Sequence, residues 1–167
     1  VLPVDNSEPD TSEEALRAAV EMLWEDDLEG LMLTLTARIQ AQEEGIALEE
    51  LNQWNPPERT FPGESEASSE VIDRMKVFAQ KWWDSLEPKL YDLICNRYNE
   101  QHDQLMNALA EGARMLAMVL APALVTQLST LPAIAVVIAT IAAKKIAESG
   151  LEATCQLWQE AREKATV

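Results

Sequence analysis

Residues 115–143 read MLAMVLAPALVTQLSTLPAIAVVIATIAA, 29 consecutive positions without a charged side chain. Whether this run crosses a membrane or fills a core decides the fold. A membrane-spanning helix needs roughly 20 unbroken apolar residues. Pro122, Thr126, Gln127, Ser129, Thr130 and Pro132 divide the run into pieces of about a dozen residues, the length of a buried core helix. Alanine spacing indicates how the pieces meet. Ala113, Ala117 and Ala121 recur one turn apart before the break, and Ala135, Ala139, Ala143 and Ala147 do so after it. Small residues in such rows leave a shallow groove that admits a second helix closely. The pattern predicts an antiparallel hairpin with its turn near Ser129.

Beyond the hairpin, Lys144, Lys145, Glu148, Leu151, Cys155 and Trp158 return to an amphipathic pattern, with Gly150 bending one long helix or separating two. Before it, Leu90, Leu93, Ile94, Tyr98, His102, Leu105, Leu109, Leu116 and Leu120 hold helical spacing as far as Pro122, where a helix is expected to end or kink. Further upstream Val71, Met75, Phe78, Ala79, Trp82 and Leu86 form an apolar stripe, with Ser68 or Ser69 as cap. Trp83 falls about 100° around from Trp82. Pro88 is expected to open a new helix, because a first-turn residue does not need its amide donor.

The front of the chain is also helical in pattern. Thr11-Ser12-Glu13-Glu14 has the form of a capping box, and Leu16, Val20, Leu23, Trp24, Leu28 and Leu31 follow at helical spacing. A helix over 12–29 is predicted, with Gly30 as its stop. Residues 31–40 alternate as a strand would, yet Leu28, Met32, Leu35 and Ile39 also fit a helix. No second segment offers a strand to pair with, so helix prevails. A short helix is expected from Ile46 to Trp54, ended by Asn55-Pro56-Pro57.

These readings predict an all-α fold, a single-domain bundle of about six helices around the alanine-rich apolar hairpin. Its parts are a flexible lead-in (1–10), an acidic helical front (12–54), a Pro/Ser-rich loop (55–69) and a helical core (70–165). Val1 to Asp10 carries no cationic start and no apolar run of leader type.

Charge separates the same parts. The chain of 167 residues has a formal net charge of −16. Residues 1–70 hold 18 acidic and 3 basic side chains; residues 71–167 hold 11 and 10. Thirteen cations make no basic footprint for a phosphate backbone, so nucleic acid is excluded as a partner. Glu25, Asp26, Asp27 and Glu29, with Glu43, Glu44, Glu49 and Glu50, instead offer a negative surface to a basic protein partner.

Catalytic and cofactor chemistry finds little support. Cys95 and Cys155 lie 60 residues apart without metal-knuckle spacing, which predicts neither a disulfide framework nor zinc, and a reduced, cytoplasmic setting. His102 is the only histidine and is read as structural. No glycine-rich phosphate loop occurs, so no cofactor or metal is expected. One resemblance points to an enzyme. Glu70-x-x-Asp73 and Glu100-x-x-Asp103 resemble the E-x-x-D elements with which all-α NTP pyrophosphohydrolases of the MazG type hold Mg²⁺. The companion E-E-x-x-E element is absent, since Glu49-Glu50-Leu51-Asn52-Gln53 ends in Gln. The sequence therefore points first to a non-catalytic interaction protein (an inhibitor, immunity-type or adaptor protein) acting through its acidic helices. A membrane-inserting helical protein using 115–143, and a MazG-like Mg²⁺-dependent hydrolase, are the alternatives.

Overall fold

The computed structural model describes residues 12–56 and 69–165, and all regular structure among them is helical. In chain order the α-helices are α1 (Glu13–Trp24), α2 (Leu28–Glu44), α3 (Leu48–Leu51), α4 (Ser69–Leu90), α5 (His102–Glu111), α6 (Ala113–Leu128), α7 (Pro132–Ser149) and α8 (Leu151–Ala165). A π-helical turn, Tyr91–Cys95, continues α4. Among the described residues there are eight α-helices against the about six expected. The lead-in 1–10, Thr11 and most of the 55–69 loop lie outside the described residues.

The charge-free run forms the predicted hairpin. Ser129 adopts left-handed backbone (φ 53°) at the end of α6, and Pro132 opens α7 where its missing donor costs nothing. Every residue from Pro132 to Ala143 is buried, as expected of a helix that is apolar all round. Helices α1, α2, α3, α6 and α8 all pack against it. The alanine rows face inward at Ala117, Ala121, Ala135, Ala139 and Ala143, but Ala147 is exposed.

Pro122 does not end α6, which runs through it to Leu128. The proline is solvent-exposed, so water can serve the carbonyl that its ring leaves without a donor. Burial of Leu116, Ala117, Leu120, Ala121 and Leu124 on the opposite side holds the helix together. The break falls instead at Gly112, whose φ of 147° is costly for other residues.

Two further expectations shift for local reasons. Helix α1 stops at Trp24, and Asp27 starts α2 by accepting from the Gly30 amide at 2.7 Å. Gly30 is thus in the first turn of a helix and not at the end of one. Ser12 caps α1, accepting from Ala15 N at 3.1 Å. Residues 31–40 are helical, and Leu31, Leu35, Thr36, Ala37, Arg38, Ile39 and Ala41 are buried on so many sides of α2 that both periodicities were satisfied. The predicted helix 46–54 shrinks to the four residues of α3.

On α4 the buried stripe is Met75, Ala79, Trp83, Leu86 and Leu90. Trp83 is fully buried and Trp82 half-buried, the reverse of the sequence expectation; Trp83 falls in line with Met75, Ala79, Leu86 and Leu90 on the buried face. Pro88 lies inside α4 and opens no new helix. The backbone beyond it widens into the π turn, closed by Asn96 N donating to Tyr91 O at 3.0 Å.

That turn positions Cys95 against Cys155 of α8. The two form a disulfide with Cα atoms 5.7 Å apart, within the ordinary range. The reading of unpaired, reduced cysteines is therefore corrected. Spacing along the chain carried no sign of the bond, since only the return of α8 onto α4 brings the two sulfurs together.

Candidate functional site

The eight acidic candidates separate into two groups at opposite ends of α2, whose 17 residues span about 25 Å. At the first end, Glu25, Asp26, Asp27 and Glu29 surround the α1–α2 junction. Asp27 is the α2 cap, and Glu29 pairs with Lys76 of α4. The Asp26 carbonyl accepts from Lys144 of α7. Burial, reinforced by neighbouring Asp27 and opposed by Lys144, raises the Asp26 carboxyl above its ordinary range. Lys144 and Arg114 also lie 5.5 and 5.6 Å from the centroid of the Trp24 ring, within cation–π range. Two of these carboxylates, Asp27 and Glu29, are thus engaged within the fold, and the Asp26 carbonyl ties the junction to α7.

At the other end, Glu43, Glu44, Glu49 and Glu50 flank a tight corner between α2 and α3. Gly45 ends α2 in left-handed backbone (φ 71°), and Ile46 N donates back to Ala41 O at 2.8 Å, the geometry of a Schellman cap. Ala47 is left-handed as well (φ 52°) and starts α3. Two successive reversals turn the chain so sharply that Ile46 and Leu48 point outward, 39% and 49% exposed. Leu51 and Trp54 point inward and anchor the corner. Among the described residues none of the four carboxylates is in an ion pair. Sequence reading found the acids but assigned Ile46 to a helix; its position one residue past Gly45 was the available signal.

The E-x-x-D pairs do not assemble. Glu70 and Asp73 are exposed at the start of α4, and Glu100 and Asp103 are exposed before and within the first turn of α5. Among the described residues no three His, Cys, Asp or Glu side chains gather as a metal group. His102 Nδ1 lies 2.9 Å from the Ile94 carbonyl and ties α5 to the π turn.

The hairpin is not sealed on both helices. Met115, Met118, Val119 and Pro122 of α6 line an open groove of about 520 Å³ with Leu16 and Trp54. Among the described residues no helix is long and apolar enough to cross a membrane. Comparison with known proteins finds no protein-family model, curated protein or solved structure that matches the chain.

Proposed function

We propose that the protein is a single-domain, non-catalytic interaction protein that engages a basic partner through the α2–α3 corner. The observation that carries this reading is the pairing of two exposed apolar side chains, Ile46 and Leu48, with four flanking carboxylates, Glu43, Glu44, Glu49 and Glu50. An apolar centre supplies contact energy on docking, and a charged rim speeds encounter and selects the partner. The complement is a protein surface with an apolar recess edged by Lys or Arg. Glu43 and Glu44 also sit at the C-terminal end of α2, where the helix dipole disfavours negative charge, so a cationic rim would relieve that repulsion. The test is capture of a partner from the native source at low and high ionic strength, with wild type, Leu48→Ser and Glu49→Lys/Glu50→Lys as baits. The reading expects one species held by wild type at low salt and lost to both variants. Capture that neither variant weakens would sink it.

The Cys95–Cys155 bond favours an oxidising compartment over the cytoplasmic setting inferred from cysteine spacing. Thiol titration of the native protein under denaturing conditions, expected to find no free sulfhydryl, checks this. A second reading, membrane insertion of 115–143, draws support from the partly uncovered face of α6. Leakage of liposomes at acid pH tests it, and intact vesicles at every pH would remove it.

A further inference from the structure

Glu87 is the one buried carboxylate among the described residues, 8% exposed. It stands on α4 one turn after Trp83 and lines a cavity of about 310 Å³ with Leu28, Lys145, Thr154, Leu157 and Trp158. That volume lies at the small end of ligand sites, roughly 300–1,000 Å³. Glu87 is in no ion pair with another described residue, and the donor beside it is the Trp83 indole N–H. Burial raises its carboxyl above the usual range; Lys145 and the Trp83 indole N–H work against that shift, and Asp84 adds to it. Yet Lys145 is held over the Trp83 ring, 5.3 Å from its centroid, and not on the carboxylate. The fully buried Trp83 Nε1 has no hydrogen-bond partner of normal geometry. A buried carboxylate thus sits on the wall of this cavity, with the indole N–H of Trp83 behind it as its nearest donor.

Such an arrangement costs stability unless something satisfies it. A glutamine would fill the same space without the buried charge. The remaining surroundings indicate what fits. Leu28, Leu157 and Trp158 make the cavity wall apolar, and Leu157 is 60% exposed at its mouth. Around Glu87, the carboxylates Asp84, Glu148 and Glu160 outnumber the ammonium groups Lys145 and Lys164. The balance is anionic, with indole rings at hand for a cation.

We propose that the cavity between α2, α4, α7 and α8 binds an organic ammonium group carried on an apolar body, with the cation on Glu87 and the apolar part against Leu28, Leu157 and Trp158. Lys145 is the internal competitor and swings toward Glu148, one turn on, when the site fills. The cavity adjoins the start of α2, at the opposite end of that helix from the corner assigned to a protein partner, so the two readings stand or fall separately.

The experiment titrates the intact, oxidised protein at neutral pH with n-hexylammonium, n-hexanol and n-hexanoate. The indole ¹H–¹⁵N resonances of Trp83 and Trp158 report on occupancy. Saturable shifts of both resonances are expected with n-hexylammonium, about tenfold weaker binding of the alcohol and carboxylate, and about tenfold weaker n-hexylammonium binding to Glu87→Gln, the worth of one charged hydrogen bond. Glu148→Gln, at the rim, should bind within about twofold of wild type. Far-UV circular dichroism establishes that Glu87→Gln is folded; isosteric and uncharged, it should melt no lower than wild type. A lysine-containing peptide that shifts the same resonances with the same Glu87 dependence assigns the ammonium to a partner's side chain, and a peptide that shifts neither assigns it to a free amine. Equal binding of n-hexanol, or unchanged binding to Glu87→Gln, overturns the proposal.

Discussion

Helices α6 and α7 are both rich in Ala and in branched aliphatic residues, Leu in α6 and Ile in α7, yet water treats them differently. On α7 twelve consecutive positions, Pro132 to Ala143, are buried. On α6 Met115, Met118 and Val119 are only half-buried, and Pro122 and Thr126 are exposed. The reason is the number of walls. Five α-helices pack on α7, whereas α6 packs mainly on α1, α5 and α7. Apolar composition selects which segments leave water, but the arrangement of neighbours decides which of them is sealed. The unsealed helix can keep a mid-helix proline, because the carbonyl it leaves without a donor has water beside it.

The sharpest way to break this comparison is truncation on each helix. Ile138→Ala in α7 should cost about 2–5 kcal/mol, the range for large buried residues, while Val119→Ala in α6 should cost about 1 kcal/mol or less. Chemical denaturation measures both, and equal losses would erase the distinction. Next in size is the staple that holds α8, one of the walls of α7, to the end of α4. Replacing Cys95 and Cys155 together by Ser should lower stability by about 2–4 kcal/mol. Hydrogen exchange in that variant should loosen α8 before α7, and simultaneous loss would mean that α7 has no protected interior of its own.

A smaller effect is expected where α2, another wall, begins. Asp27→Ala removes the side chain that receives the Gly30 amide and should cost about 1 kcal/mol, seen as a lowered Tm. The smallest concerns pH. Burial raises the Glu87 carboxyl, so the folded protein holds that proton to higher pH than the unfolded chain. Stability from this group is therefore greatest in acid and declines as pH rises from the unfolded to the folded value, then levels. Glu87→Gln abolishes the decline. The variant should gain Tm over wild type at neutral pH and lose that advantage on acidification; a constant difference across pH would contradict the burial of the charge.

How far the sequence could be read depended on whether a feature was local. The hairpin turn at Ser129 follows from polar breaks and proline chemistry within a few residues, and the helicity of 31–40 from the want of any strand to pair with it, whereas the helix expected to reach Trp54 ends at Leu51. The inward tryptophan of α4 was not legible, because Trp82 and Trp83 sit next to each other and which one is covered depends on the helices that pack on α4. The acids of the α2–α3 corner were legible as residues but not as a site. What makes them one is the outward turn of Ile46 and Leu48, set by the left-handed backbone of Gly45 and Ala47. Glu87 gave no sign at all among so many acids. Its burial arises where α8 packs on α4, beside Lys145 and Glu148 of α7.

By itself the sequence determined that this chain is helical, that its charge is concentrated in the first 70 residues, and that its charge-free run of 29 is too interrupted for a single membrane helix and folds back as a hairpin. These are properties of period and composition, which act over one or two turns. Only the tertiary structure decided that Cys95 meets Cys155, that eight acids form two groups at the ends of one helix, and that the Glu87 carboxylate is enclosed beside an indole. Each of those depends on segments far apart in the chain being brought together, and no local pattern encodes a distance between segments that have not yet packed.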